Sequence, residues 1–190
     1  MRALGREFYA RRTLEVARDL LGCVLVHRGR GFLRAGRIVE VEAYIGERDR
    51  ACHASRGRTR RTEPMFGPPG HAYVYLVYGV HHCMNVVTEA DGFPAAVLLR
   101  ALEPIVGLRD SASGPGRLCR AMGIDLRHNR ADLTADRLFV CEGDPPARIA
   151  RSTRIGVGYA GVWANKPWRL FVPGHPAVSR PRRSAILTRP

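Results

Sequence analysis

Glu40, Glu42 and Tyr44 fall two residues apart in the stretch Ile38-Val-Glu-Val-Glu-Ala-Tyr-Ile45. Apolar and β-branched residues alternate there with the others at period two, which is the pattern of a strand. The spacing predicts Val39, Val41, Ala43 and Ile45 on one face, with two carboxylates and a phenol on the other. A carboxylate inside an apolar strand is costly unless it is paired or used. In a chain of net charge +14 this pair invites a catalytic reading. The plain alternative is that one or both glutamates are solvated or salt-bridged, and alternation does not choose between Glu40 and Glu42.

A second constellation follows in Tyr73-Val-Tyr-Leu-Val-Tyr-Gly79 and its continuation to Asn85. Aromatic residues beside basic segments suit stacking on bases together with phosphate contact. The pattern predicts a hairpin with Tyr73 and Tyr75 on one face and Tyr78 and Gly79 near the tip. A bulky residue on such a tip can enter a duplex as a wedge. Tyrosine also favours strands for packing reasons alone, so the residues by themselves leave both readings open.

Other groupings carry less. Cys52 with His53, and His81 and His82 with Cys83, are chain neighbours, and adjacent strand residues point to opposite faces. The Cys-x₂₋₄-Cys spacing of structural zinc sites is missing, so no metal site is expected. No Walker loop, dinucleotide fingerprint or Gly-x-Ser-x-Gly elbow occurs, and no cofactor is implied. Gly114-Pro-Gly116 before a helix could offer N–H groups to a phosphate, although a plain loop explains it as well.

The elements that must position these residues are legible in outline. Thr13 reads as the N-cap of a helix carrying Leu14, Ala17, Leu20 and Leu21 and stopped by Gly22. Strands are predicted at Cys23 to His27, Phe32 to Ile45, Tyr73 to Gly79, His81 to Thr88 and Ala95 to Leu102, the last closed by Pro104. Residues 46 to 71 form a long polar, basic loop, of the kind that is usually functional or mobile. A short helix is expected from Arg117 to Met122. Later strands are expected at Leu138 to Glu142, Ile155 to Tyr159 and Trp168 to Val172. The expected fold is α+β: a single domain over residues 1–190, with a curved, mostly antiparallel sheet, flanking helices and a protruding hairpin. Residues 177–190 read as a mobile basic tail.

Composition narrows the partners. Thirty-one Lys and Arg oppose seventeen Asp and Glu. That excess predicts attraction to a polyanion, with nucleic acid first and an acidic membrane surface second. Lys166 is the only lysine, so nearly all the positive charge is guanidinium, which suits bidentate phosphate contacts. No apolar run approaches a membrane span, and the first residues lack a secretory core. The five cysteines are odd in number and widely spaced. A reduced, cytoplasmic setting is expected, associated with the nucleoid if the source is bacterial.

Taken in series, the motifs resemble the alkyladenine (3-methyladenine) DNA glycosylase family. The resemblance is carried by Ala17-Arg-Asp-Leu-Leu-Gly22, Gly36-Arg-Ile-Val-Glu-Val-Glu-Ala-Tyr-Ile-Gly46, Met65-Phe66 with Gly70, and Tyr73 to Gly79 followed by Cys83-Met-Asn85. It continues through Ala96-Val-Leu-Leu-Arg-Ala-Leu-Glu-Pro104, Gly114-Pro-Gly116 with Leu118-Cys119, and Arg154-Ile-Gly156 with Lys166-Pro-Trp168. It spans almost the whole chain in one order, loosening between Asp125 and Arg154.

The resemblance implies a monomeric enzyme that removes alkylated or deaminated purines from double-stranded DNA by hydrolysing the N-glycosidic bond. It implies that Glu42 is the base activating the water and that Arg100 helps to hold that water. Tyr44 and His53 match the residues stacking on one side of the flipped base, and Tyr75 matches the stacker on the other. Asn85 matches the residue discriminating against a guanine amino group, and Tyr78 the tyrosine filling the vacated gap. Glu40 has no catalytic counterpart. With Lys166 the one internal amine and set in an Asn-Lys-Pro turn, Schiff-base strand cleavage is not expected. A non-catalytic nucleic-acid-binding module and a structural zinc domain are the competing readings.

Overall fold

The computed structural model describes residues 2–179 and the backbone of 186–188. Two short helices, α1 (Arg6–Tyr9) and α2 (Thr13–Asp19), lead into β1 (Val24–Gly29) and β2 (Phe32–Ile45). Then come β3 (Ala72–Val77), β4 (His81–Val87), β5 (Ala95–Val106), α3 (Pro115–Met122), β6 (Leu138–Cys141), β7 (Ile149–Ser152), β8 (Arg169–Phe171) and β9 (Ile186–Thr188). All pairings are antiparallel, in the order β3-β4-β5-β2-β8-β7-β9. The other edge of β2 is shared. Its first half pairs with β1, which also pairs with β6, and its second half pairs with β8. The expected α+β class, curled antiparallel sheet and hairpin are found.

One core cluster holds most of the sheet to the helices. It joins Val16, Ala17, Leu20 and Leu21 of the first helical segment, Ile38, Val41 and Ala43 of β2, Val97, Leu99 and Leu102 of β5, and Leu118, Cys119 and Met122 of α3. Pro115 at the first turn and left-handed Gly123 after the last give α3 well-formed ends. The long loop between β2 and β3 is packed rather than free. It forms short 3₁₀ turns at His53–Arg56 and Glu63–Phe66, and its Cys52, Ala54, Met65 and Phe66 bury against Tyr73 and Ala96.

Several sequence expectations are corrected. Arg12, not Thr13, stands at the N-cap of α2. Thr13 is the first helical residue, and both its backbone N–H and its hydroxyl donate to Glu89 Oε1 at 2.7 Å. A carboxylate distant in sequence thus caps the helix, which local pattern cannot reveal. Strand β5 continues through Pro104 to Val106 because Pro104 lies opposite Gly36, where the register shifts and a ladder donor is dispensable. No strand occupies Ile155 to Tyr159. The strand lies earlier, at Ile149–Ser152, and 3₁₀ turns run from Gly158 to Asn165 with a break at Gly161, φ 60°. Most of the expected mobile tail, residues 180–185 with 189 and 190, lies outside the described residues, whereas Ile186–Thr188 pair with β7.

The alternation in β2 is interrupted once, at the place that matters. Ile38 pairs with Leu102, Glu40 with Ala101, and Val41 with Leu99. Val39 is therefore surplus on β2 and Arg100 is surplus on β5, two bulges side by side. The core takes Ile38, Val41 and Ala43, not Val39, from β2. Bulges re-aim side chains, and here Glu40, Glu42 and Arg100 converge.

Candidate active site

Glu42 lies in the second half of β2 and is fully buried, 0% exposed. Three donors hold its carboxylate. Tyr44 O–H donates to Oε2 at 2.8 Å, Arg100 Nη1 lies 3.2 Å from the same oxygen, and the Ile155 N–H donates to Oε1 at 2.7 Å. An ionised carboxylate offers about four lone-pair directions, so this arrangement leaves roughly one for a water. Burial, then the Glu42 charge, pushes the Tyr44 phenol well above its usual range, so it stays an O–H donor. The hydrogen bond to Glu42 also explains the absence of a strand at Ile155, whose N–H is used on the carboxylate rather than in a ladder.

Glu40 is equally buried but faces different partners. Arg100 Nε and Arg169 Nε both donate to its Oε1, at 2.9 and 2.6 Å, and the Ser179 N–H donates to Oε2 at 2.8 Å. Arg100 therefore bridges the two carboxylates. Its cost of burial is offset by two anions, and it places a fixed positive charge beside Glu42.

A packed aromatic cluster adjoins these polar groups. Tyr73 and Tyr75 share a face of β3, as alternation requires, with ring centroids 5.2 Å apart. His53, from the loop, reaches the same face. Its Nδ1 lies 2.9 Å from Tyr73 Oη, and its ring stands edge-on to Tyr75 at 4.6 Å. Burial first, then Arg61 and Arg56, lowers the His53 pKa to about 4, so the imidazole is neutral at physiological pH. Tyr44 and Tyr75 both pack against the loop cluster. Asn85, on β4 opposite Tyr73, is buried and oriented by donating its Nδ2 to the Tyr73 carbonyl at 3.0 Å.

Tyr78 stands apart from this cluster. It is 93% exposed at the hairpin tip, and both Tyr78 and Gly79 have positive φ, 50° and 70°. The Val80 N–H closes the turn on the Val77 carbonyl at 3.1 Å. A tyrosine in that backbone region is uncommon, and the tight turn aims it away from the body of the protein. His81, just beyond it, packs over the backbone of α3 at Gly116, where a Cβ would meet His81 Cβ at 3.1 Å.

Some of the site is invisible to sequence reasoning on composition and spacing. Arg154 is 4% exposed, and its guanidinium holds Asp49 bidentately at 2.6 and 2.9 Å and donates to the Ala43 carbonyl at 2.9 Å. It also lies over the Tyr44 ring at 4.8 Å and the Trp168 ring at 5.0 Å, so it backs one face of Tyr44. Arg61 covers the Tyr75 ring at 5.3 Å from the loop. Lys166 stands over Trp163 and Trp168, at 5.5 and 6.0 Å. The signal that existed for Arg154 was its place in the Arg-Ile-Gly motif, not its charge. Among the described residues no three His, Cys, Asp or Glu side chains converge as metal ligands. Two surface cavities lie elsewhere, around Phe8 and Phe139 and around His27 and His128. No described helix is long and apolar enough to cross a membrane.

A buried, multiply held carboxylate thus adjoins an aromatic cluster, and a hairpin of the same strongly basic molecule presents an exposed tyrosine. Residues 7–176 match the family model for methylpurine-DNA glycosylase, and the chain belongs to that family. Among similar proteins, one from Anaeromyxobacter sp. (strain Fw109-5) is 60% identical over 93% of this chain and 92% of its own length. One from Myxococcus xanthus is 54% identical over 95% of both chains, and one from Legionella pneumophila (strain Corby) is 50% identical over 95% of this chain and all of its own. Each carries the name "Putative 3-methyladenine DNA glycosylase". Membership makes this a DNA glycosylase of alkylated-base repair acting on DNA.

Proposed function

We propose that the protein flips alkylated purines, 3-methyladenine among them, out of duplex DNA and hydrolyses their N-glycosidic bond with a water activated by Glu42. The observation that carries this reading is the carboxylate itself, fully buried and held by three donors, which leaves acceptor capacity for about one more. In water attack at C1′, the new C–O bond forms as the C1′–N9 bond breaks. The bonding pair leaves with the base, and the water's proton passes to Glu42. Alkylation at N3 or N7 makes the purine cationic, so it departs neutral and needs no strong general acid. Deaminated purines, which lack that charge, belong to the same proposed substrate range as slower substrates.

Extrusion of the nucleotide costs a few kcal/mol, least for a damaged base. In this reading Tyr78 occupies the gap in the stack, and the arginine-rich surface supplies phosphate contacts. The base stacks between Tyr44 with His53 on one side and Tyr75 on the other. Neutral His53 adds no repulsion against a cationic purine, and the tyrosine faces attract it. His53 and Tyr75 now touch edge-on at 4.6 Å. Since stacked rings need roughly 3.5 Å per face, a base between them requires these rings to part by ~2–3 Å. Asn85 Oδ1 and its fixed amide read the purine edge and reject a guanine amino group.

Arg100 helps to hold the water and, with Glu40, completes a charge-balanced floor. The reaction leaves an abasic site with the strand intact, in keeping with the amine of the one lysine standing over Trp163 and Trp168. The protein acts as a monomer in the cytoplasm. The decisive experiment is incubation with methylated duplex DNA and measurement of free bases and abasic sites. Release of 3-methyladenine without strand cleavage is expected. Salt-sensitive DNA binding without any base release would instead identify a binding module.

A further inference from the structure

Glu40 has no step to perform in the reaction proposed above, yet it is fully buried and its surroundings are built to receive a piece of backbone. Arg169, 1% exposed, donates Nε to Glu40 Oε1, Nη1 to Ser152 Oγ at 2.9 Å, and Nη2 to the Ser179 carbonyl at 2.6 Å. Glu40 Oε2 takes the N–H of that same residue at 2.8 Å. One residue of the C-terminal segment is thus clasped at both its backbone groups by a buried ion pair. A second tether lies two residues earlier, where Ser113 Oγ donates to the Ala177 carbonyl at 2.6 Å. Ser179 lies beyond residues 7–176, the span of the family match.

We infer that Ser179 is a positioning residue for catalysis, acting through Glu40 and Arg100 on Glu42; the inference rests on Glu42 being the base. The route is short and every link is a polar contact. Ser179 N–H saturates Glu40 Oε2, Arg169 and Arg100 share Oε1, and Arg100 places Nη1 on Glu42 Oε2 at 3.2 Å. Without the Ser179 amide, Oε2 is left as a buried acceptor without a partner. The Arg100 guanidinium, already on Oε1 through Nε, carries a fork that can close on Glu40 bidentately. That movement withdraws Nη1 from Glu42, and the water loses an orienting group.

The test is Ser179→Pro in the full-length protein, which removes the amide donor from the clasp. Single-turnover release of 3-methyladenine from methylated duplex should slow about tenfold. Affinity for lesion duplex should stay unchanged. Ser179→Ala, which keeps the amide, should recover the lost rate. Amide hydrogen exchange on the wild type provides a measurement independent of variant folding: the Ser179 amide should exchange as slowly as those of the central strands. A wild-type rate in Ser179→Pro overturns the inference. So does a rate loss that tracks the unfolded fraction, or a Ser179 amide exchanging like an exposed loop. A wild type that releases no base would instead sink the reaction reading, and the exchange measurement would still decide whether the clasp exists.

Discussion

Glu42→Gln is the most informative substitution because the structure separates its chemical from its structural cost. The carboxylate receives two donors at Oε2 and one at Oε1. A glutamine has one acceptor oxygen. Placed at Oε2, it keeps Tyr44 and Arg100 and turns its NH₂ against the Ile155 N–H. One hydrogen bond is lost, worth about 1–3 kcal/mol when the orphaned group is buried. Arg100 retains Glu40, so no unpaired buried cation is created. The variant should therefore fold, with a modest drop in melting temperature. The chemical loss is larger. A positioned general base contributes roughly 10²–10⁴ in rate, about 3–5 kcal/mol of barrier. Single-turnover release of methylated purines should fall by at least ~10² while lesion-duplex affinity, read by fluorescence anisotropy, stays near that of wild type. Base release within about tenfold of wild type would falsify the assignment of Glu42 as the base.

Glu40→Gln should be much milder in rate, since Glu40 touches only the supporting arginines and the Ser179 amide, and the same single-turnover assay compares the two. Tyr78→Ala should leave stability within about 0.5 kcal/mol, as its ring is 93% exposed, yet weaken lesion-duplex binding about tenfold. Chemical denaturation and anisotropy report the two separately, and unchanged affinity would remove the wedge. Asp49→Asn should destabilise by about 3–5 kcal/mol, because Arg154 would be left buried with its bidentate partner neutralised. His53 makes stability depend on pH. Its folded pKa of about 4 lies below the unfolded 6.5, so the unfolded chain binds the extra proton first. Its contribution is intact above the unfolded value and is lost as pH falls towards 4, by on the order of 3 kcal/mol. In His53→Gln that part of the acid sensitivity should vanish from denaturation curves recorded across the window.

What could be read beforehand follows the reach of each interaction. Strand β2 from Phe32 to Ile45 and the hairpin around Tyr78 were visible because alternation and turn chemistry are local. Glu42 and Glu40 could not be told apart, since what distinguishes them comes from far along the chain. Ile155 and Tyr44 serve one, while Arg169 and Ser179 serve the other. The cap that Glu89 gives to α2 was hidden for the same reason. The strand expected at Ile155 failed because a side chain on another strand claims its N–H. Arg154 carried no pattern of its own among many arginines, and its importance comes from burial against Asp49 and Tyr44.

The surplus residues Val39 and Arg100 face one another on β2 and β5, and their offsets cancel, so the ladder leaves the irregularity in the phase in which it entered. Glu40 and Arg100 occupy a closed parenthesis between two stretches of ladder that keep one phase. Deleting one surplus residue alone would transpose the side chains of its strand beyond that point, sending core residues outward and polar ones inward. Deleting both would restore an unbroken ladder from Gly36 to Ile45 of β2, without Arg100 and without the turn that brings Glu40 to it. Architecture and chemistry are thus separable by two residues.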